Sequence, residues 1–186
     1  SPLRQTLYSN AGPFGAQVTD IAGILRAHPG ILLPPSARPG DRYFAVRCQG
    51  TAVDIFLHHR SQGAVSFGFS HTPGDIQWRL APFGLTSASF HGRHWMLPEP
   101  AGQYLSGLYG DMWQSPDPGF ASVISSPALF AVSPYVRAYY SVARARKYRM
   151  TGQHAKADAL LAQSPISLAP DLCLQTSPED REAKTP

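Results

Sequence analysis

Residues 43–57 read YFAVRCQGTAVDIFL. Two short runs rich in aromatic and β-branched residues, Tyr43–Cys48 and Ala52–Leu57, flank the turn residues Gln49-Gly50-Thr51. This pattern predicts a β-hairpin. The second run carries a single carboxylate, Asp54, among apolar neighbours that are typical of a buried strand. Because an isolated ionised carboxylate is costly to bury, we expect Asp54 to be paired, metal-bound or protonated.

The residues around this hairpin predict an α+β protein, with strands in the first half and helices in the second. A helix is predicted over residues 20–28, with Asp20 as its N-cap, and a Pro-rich loop over 31–42. A third strand is predicted at 64–69 and a second hairpin at 85–97, around His91-Gly92.

The C-terminal half predicts helices separated by a long loop. One helix is expected between Pro100 and Gly110, followed by a loop over 111–133. Helices at 134–150 and 154–163 form a hairpin that weakly resembles one tetratricopeptide unit. A single such unit cannot bury its own apolar face, so we expect it to pack on the strands.

Three parts of the chain follow from this pattern. Residues 1–133 form the α/β core and residues 134–165 form the helical hairpin. Residues 166–186, rich in Pro, Ser and Glu, are predicted to be a disordered tail.

The charge of the chain is low in amount and basic in sign. Charged residues make up 15% of the 186 positions and the formal net charge is +4. Excluding the acidic tail, the first 165 residues carry eight acids against fourteen Lys and Arg, a net of +6. Such a body suits an anionic partner such as phosphate, a nucleotide, nucleic acid or a membrane surface, although ordinary solubilising charge explains it equally well. Specific nucleic-acid binding is not expected.

The basic residues of the long predicted helix extend over residues 137–149. Arg137 and Arg144 share one face, as do Arg146 and Arg149, so a phosphate or membrane-headgroup patch is one interpretation. A solvated face near the helix C-terminus, where cations are favoured by the helix dipole, is the other.

The cellular location, and whether the sequence is a fragment, are inferred from sequence patterns that are absent. No run approaches the roughly 18 apolar residues of a membrane span, and no signal peptide is recognisable. Cys48 and Cys173 do not make a disulfide framework. A cytoplasmic location is therefore the default expectation, and the initial Ser suggests that an upstream segment is missing.

The sequence offers few catalytic motifs. GxSxG, GxGxxG and Walker A patterns are absent, and the histidines lack zinc-site spacing. Asp54 is the best candidate, because a strand holds it rigidly and Mg²⁺ would offset its desolvation. Pairing with Arg47 on the adjacent strand, or a position at a strand end, is the structural alternative. Trp113 is interpreted as a packing anchor or as a stacking surface for a sugar or base, and Asp111 as an exposed turn residue.

The order of these motifs resembles the LicD and fukutin-related family of phosphotransferases over roughly residues 40–130. The motifs that carry the resemblance are Val53-Asp54-Ile55-Phe56, Pro100 with Tyr104-Leu105 and Tyr109-Gly110, and Trp113 with Pro116. The resemblance implies a nucleotidyltransferase-like mixed sheet. It also implies transfer of phosphocholine or a phospho-sugar alcohol from a CDP-activated donor to a glycan acceptor.

In this family Asp54 would match the late metal carboxylate that holds Mg²⁺. Arg47, Tyr109, Asp111 and Trp113 are the candidate substrate-binding residues. The family's D-x-D pair is absent, and in the sequence AQVTD only Asp20 matches an acid of that motif.

The missing pair implies a chain that is N-terminally incomplete or a degenerate, inactive member. Two other interpretations stay open. One is a non-catalytic relative that binds a glycan, a nucleotide or a protein, and the other is a helical-repeat interaction module.

Overall fold

A computed structural model of the chain describes residues 21–38, 41–71 and 74–168. These residues form helices and antiparallel strands, which confirms the predicted α+β class. The strands are β1 (Ile31–Leu32), β2 (Tyr43–Cys48), β3 (Thr51–Phe56), β4 (His59–Ser61), β5 (Ala64–His71), β6 (Gly74–Leu80), β7 (Gly84–Phe90) and β8 (Arg93–Glu99). The helices are α1 (Ile21–Ala27), α2 (Ala101–Tyr109), α3 (Ser122–Ser125), α4 (Pro134–Met150) and α5 (His154–Ala162).

The described strands form three sheets, whereas the resemblance implies a mixed sheet. Sheet A has the order β1-β2-β3, sheet B the order β4-β5-β6, and sheet C consists of β7 and β8. Every described pair is antiparallel. Parallel pairing needs a crossover of a dozen or more residues, whereas these strands are joined by tight turns.

Three of these turns use the same local chemistry. Gln49-Gly50, Gln62-Gly63 and His91-Gly92 are two-residue loops in which both residues have positive φ. That conformation defines the type I′ turn, which matches the twist of paired strands and favours Gly at its second position. The turns therefore fix the register of β2–β3, β4–β5 and β7–β8.

The described residues up to Tyr104 form one compact unit, and those from Leu105 onward form another. The predicted helical hairpin therefore shares its unit with residues 105–133. The predicted tail beyond residue 168 lies outside the described residues, as does the predicted N-cap Asp20.

The first unit has a core on each face of sheet A. On one face, Phe44 and Val46 pack with Ala22 and Leu25 of α1. On the other face, the aromatic rings of sheet A meet those of sheet B. The ring centroids of Tyr43 and Phe69 are 5.2 Å apart, and those of Phe56 and Phe67 and of Phe56 and Trp78 are 5.7 and 5.9 Å apart.

Sheet B buries one face because large apolar residues alternate along both of its long strands. Val65 and Phe67 on β5 pair with Leu80 and Trp78 on β6, and all four are buried. The Phe67 and Trp78 rings stack with their centroids 5.3 Å apart. Phe56 of sheet A therefore contacts both rings of this stack.

The second unit is helical over its described part. Ser133 accepts a hydrogen bond from the Tyr135 backbone N–H at 3.3 Å and Pro134 is the first helical residue, as predicted for α4. The buried residues of this unit are mostly small, which allows close helix packing. They include Val123 and Ile124 of α3, Ala145 of α4, and Ala157 and Leu160 of α5.

Candidate functional site

Asp54 lies on an exposed part of β3, so the prediction of a buried strand is wrong for this residue. Thr51 to Asp54 are exposed, and only Ile55 and Phe56 are half-buried. The reason is the sheet order, because β3 is an edge strand of sheet A. The register also places Asp54 opposite Ala45, on the face turned away from Phe44 and α1.

The partner of Asp54 is a tyrosine. The Tyr43 hydroxyl donates a hydrogen bond to Asp54 Oδ1 at 2.8 Å. The alternative that Asp54 pairs with Arg47 is not observed, since Arg47 donates to the Gly50 carbonyl at 3.2 Å instead. An exposed carboxylate held by a neutral donor keeps its second oxygen for another partner.

The prediction that Asp54 holds Mg²⁺ stays a prediction. Residues 21–38, 41–71 and 74–168 contain no group of three or more His, Cys, Asp or Glu side chains that could hold a metal ion. The Tyr43 hydroxyl turns its proton toward Asp54, so it offers the carboxylate a donor and brings no second anionic ligand. Magnesium is usually held by one or two carboxylates, with water and phosphate oxygens as its other ligands. Asp20, the other predicted metal residue, lies outside the described residues.

A second arrangement follows α2, where the loop from Gly110 to Phe120 lines a cavity of about 230 Å³ that is open to solvent. The cavity brings together two of the predicted substrate-binding residues, Tyr109 and Trp113. Asp111 is exposed and does not line it. The lining residues are Tyr109, Met112, Trp113, Ser115, Pro116, Asp117 and Phe120.

Local hydrogen bonds give this loop its shape. Gly110 ends α2 with a φ of 88°, a left-handed conformation that favours glycine. The Trp113 backbone N–H then donates to the Gly110 carbonyl at 3.1 Å. At the other end, Asp117 Oδ1 accepts from the Gly119 N–H at 2.8 Å, a turn that Asp side chains commonly form.

The loop is also fastened to α5. Gln163 Nε2, just past the end of that helix, donates to the Gly119 carbonyl at 2.9 Å and to the Ala159 carbonyl at 2.8 Å. A Cβ on Gly119 would lie 3.2 Å from Asp117 Oδ1 and 3.4 Å from Ala159 Cβ, so the backbone approaches closely here. The cavity therefore rests on a helix as well as on its own turns.

The chemistry of the cavity is aromatic with one anionic acceptor. The Tyr109 and Phe120 rings lie 5.3 Å apart, and Trp113 keeps 36% of its surface exposed. Asp117 adds a carboxylate that can accept hydrogen bonds from hydroxyl groups. Aromatic faces beside such acceptors suit flat or ring-shaped polar ligands, which stack on the rings and donate to the carboxylate.

The predicted basic patch on α4 is partly used inside the second unit. Arg137 donates to the Ile124 carbonyl from Nε and Nη2, at 2.9 and 2.6 Å. Arg149 pairs with Asp158 of α5 at 2.8 Å. Arg144 and Lys147 are exposed and leave a smaller cationic face.

The sequence did not predict that three cationic or titratable side chains of the first unit, His58, His59 and Arg42, would be at least partly buried or packed. His58 packs its ring 4.3 Å from that of Phe67, and its Nε2 lies 3.4 Å from the Tyr104 hydroxyl. His59 is half-buried and Arg42 is only 5% exposed. No local pattern marks Arg42, because its burial depends on residues that pack over it from elsewhere in the sequence.

Comparisons with family models, curated proteins and solved structures return no match to this chain. Fold and site define its class as an α+β protein of two compact units, with an aromatic cavity in the second. None of the helices in the described ranges is long and apolar enough to cross a membrane.

Proposed function

We propose that this chain is a non-catalytic relative of the LicD-type phosphotransferases, and that it binds a sugar ring of a glycan in the cavity of the second unit. The observation that carries the proposal is the joining of Tyr109 and Trp113 with Asp117 around one cavity of about 230 Å³. A sugar ring offers one apolar face for stacking and hydroxyl groups for the carboxylate. The motif order from Val53 to Pro116 supports a nucleotidyltransferase-like fold as part of this proposal.

The state of Asp54 supports binding over catalysis. Its partner is the neutral Tyr43 hydroxyl, and the described residues provide no cluster of metal ligands. Phosphoryl transfer in such a family depends on positioning and charge neutralisation, which one exposed carboxylate does not provide. Arg144 and Lys147 on α4 are exposed and remain for an anionic partner.

The test is a fluorescence and NMR titration of the full chain with neutral mono- and disaccharides. We expect the Trp113 signal to change on binding, and Trp113→Ala to weaken the affinity by about 5- to 150-fold, since a stacked ring contributes about 1–3 kcal/mol. Trp95→Ala is the matched control, because Trp95 is also exposed but lies on β8, outside the cavity. Equal losses in both variants, or no saccharide binding at all, would refute the proposal.

A second candidate is Mg²⁺-dependent binding of a CDP-linked donor for phosphotransfer. It is favoured by the accessibility of Asp54, whose Oδ2 projects from a rigid strand. Calorimetry with CDP-choline, with and without Mg²⁺, separates the two candidates. Metal-dependent binding that Asp54→Ala abolishes and Glu99→Ala, at an exposed acid of β8, retains would replace the glycan-binding proposal.

A further inference from the structure

The guanidinium of Arg42 is buried without compensation. Only 5% of the residue is exposed, and its Nε and Nη2 atoms are shielded from water with no hydrogen-bond partner in the structure. A buried cation normally pairs with an anion, because neither solvent nor apolar neighbours can replace its hydration. Arg42 is therefore a buried cation with two donors that have no acceptor among the described residues.

The two free donors of Arg42 are a matched pair. Nε and Nη2 lie on the same edge of the planar guanidinium, where their N–H bonds run side by side. This edge takes two oxygens of a carboxylate or phosphate at once, which is the geometry that gives arginine its preference for such groups. Because neither donor is used, the whole edge remains available to one oxyanion.

The backbone places Arg42 and His59 in the same part of the first unit. The Arg42 carbonyl accepts from the Leu57 N–H at 2.8 Å, which extends the β2–β3 ladder by one pair. Two residues after Leu57, the chain enters β4 at His59. His59 Nε2 is also shielded from water and without a hydrogen-bond partner. Burial, followed by the charges of Arg42 and His58, lowers the pKa of His59 to about 4.

The neighbouring acids are engaged elsewhere. Asp41 Oδ2 accepts from the Arg38 backbone N–H at 2.8 Å. Asp54 lies on the opposite face of sheet A and accepts from Tyr43. Within the described residues, no carboxylate forms an ion pair with Arg42.

We propose that Arg42 and His59 form a buried binding site for a small oxyanion, whose two oxygens accept from the Nε and Nη2 edge of Arg42. His59 Nε2 supplies the third donor. The shared chemistry is that of phosphate and carboxylate, and the first unit provides the charge and the donors for either. The site is separate from the cavity of the second unit and does not rest on the glycan-binding proposal.

The test measures thermal unfolding of the full chain in inorganic phosphate or acetate against chloride of equal ionic strength. We expect the Tm to rise with phosphate, acetate or both, because a ligand that binds only the folded state stabilises it by mass action. Arg42→Met should lose this increment. In chloride, it should unfold at the same or a higher temperature, since an uncompensated buried charge is replaced by an apolar chain.

Arg93→Met is the matched control. Arg93 is an exposed arginine of β8, and its variant should retain the increment. General salting-out by phosphate acts on all variants and cancels in the comparison. A Tm increment retained in Arg42→Met, or absent from the wild type with both anions, would overturn the proposal. A lower Tm of Arg42→Met in chloride would also overturn it, because it would reveal an internal partner.

A direct measurement covers the case in which Arg42→Met does not fold. Wild-type protein should broaden the ³¹P resonance of inorganic phosphate, and acetate or sulfate should compete. With sulfate, which stays dianionic, the Tm increment should grow from pH 7 to pH 5, because a bound anion offsets the charges of Arg42 and His58 that oppose protonation of His59. An unchanged ³¹P linewidth together with no Tm shift in the wild type would refute the site.

Discussion

Arg137 supports the end of the short helix α3 with both donors of one guanidinium edge. Its Nε and Nη2 lie 2.9 and 2.6 Å from the Ile124 carbonyl oxygen. We expect Arg137→Leu to lower the free energy of unfolding by about 1.5–3 kcal/mol, the usual contribution of hydrogen bonds from charged groups. The exposed Arg144 is the matched position, and Arg144→Leu should change stability by less than about 0.5 kcal/mol. Urea unfolding measures both, and equal losses would contradict the assignment.

His59 makes stability depend on pH in a window set by its own pKa. Burial and the nearby charges of Arg42 and His58 lower that pKa from 6.5 to about 4 in the folded chain. Between those pH values the unfolded state binds more protons, so stability falls as the pH drops from 6.5 to 4. The loss is at most about 3 kcal/mol.

Urea midpoints in chloride buffer measure this dependence. We expect His59→Phe to flatten the pH curve in that window and the exposed control His94→Phe to leave it unchanged. A curve of the same slope in His59→Phe would place the pH dependence at another group.

Single residues also show where sequence reasoning ends. The strand that carries Asp54 was predicted at nearly the observed residues, because alternation and the Gln49-Gly50 turn are local signals. The exposure of Asp54 was not predicted, because it depends on the position of β3 at the edge of sheet A. The partner Tyr43 lies eleven residues away and becomes a neighbour only through the register. Tyr109 and Trp113 were found because they are close in sequence.

At the scale of elements, the structure adds two strands and one short helix that are too brief to give a clear pattern: β1, β4 and α3. β6 is different, since Ile76, Trp78 and Leu80 alternate along it and all three are buried. Such alternation is a local strand signal, and the predicted strands do not include it. The predicted helices α4 and α5 were confirmed at nearly the expected residues because their caps and stops are local.

Gly68 of β5 is required by the close approach of β6. A Cβ built on Gly68 would overlap the Ile76 carbonyl oxygen and lie 3.0 Å from Gln77 Cα. Because these are backbone atoms of a paired strand, we expect Gly68→Ala to cost about 3 kcal/mol or more. Gly102→Ala in α2 is the control. Its Cβ meets open space, and it should stabilise by about 0.5–1 kcal/mol. Thermal unfolding measures both, and a neutral Gly68→Ala would contradict this packing.

On the scale of the whole molecule, the α+β fold class was predictable from the sequence, but the division of the strands into sheets was not. Strands followed by helices predicted an α+β protein, which the structure confirms. The division into three antiparallel sheets depends on which hairpins pair with each other, and pairing between distant strands leaves no local trace in a single sequence.

Each compact unit has its own buried core, so we expect each to respond to its own mutations. Trp78 is buried in the first unit, and Trp113 lies in the second. Leu160→Ala should cost about 2–5 kcal/mol in the second unit, where Leu160 is 1% exposed. It should lower the urea midpoint reported by Trp113 more than the midpoint reported by Trp78.

Single-tryptophan variants separate the two signals. One retains Trp78 and the other Trp113, with the remaining tryptophans changed to Phe. Val65→Ala, at a buried position of β5, should have the reverse effect. Equal shifts of both midpoints by either change would show that the units unfold as one.

Sheet C has a consequence for how the protein behaves in the test tube. It is a ribbon of two strands, so each described strand has one unpaired edge, and Leu85, Phe90 and Met96 are at least 60% exposed along it. Open strand edges with apolar side chains are templates for pairing with another chain. Self-association through sheet C should therefore depend on protein concentration. Preparations are best compared at the same low concentration, at which two copies of sheet C rarely meet.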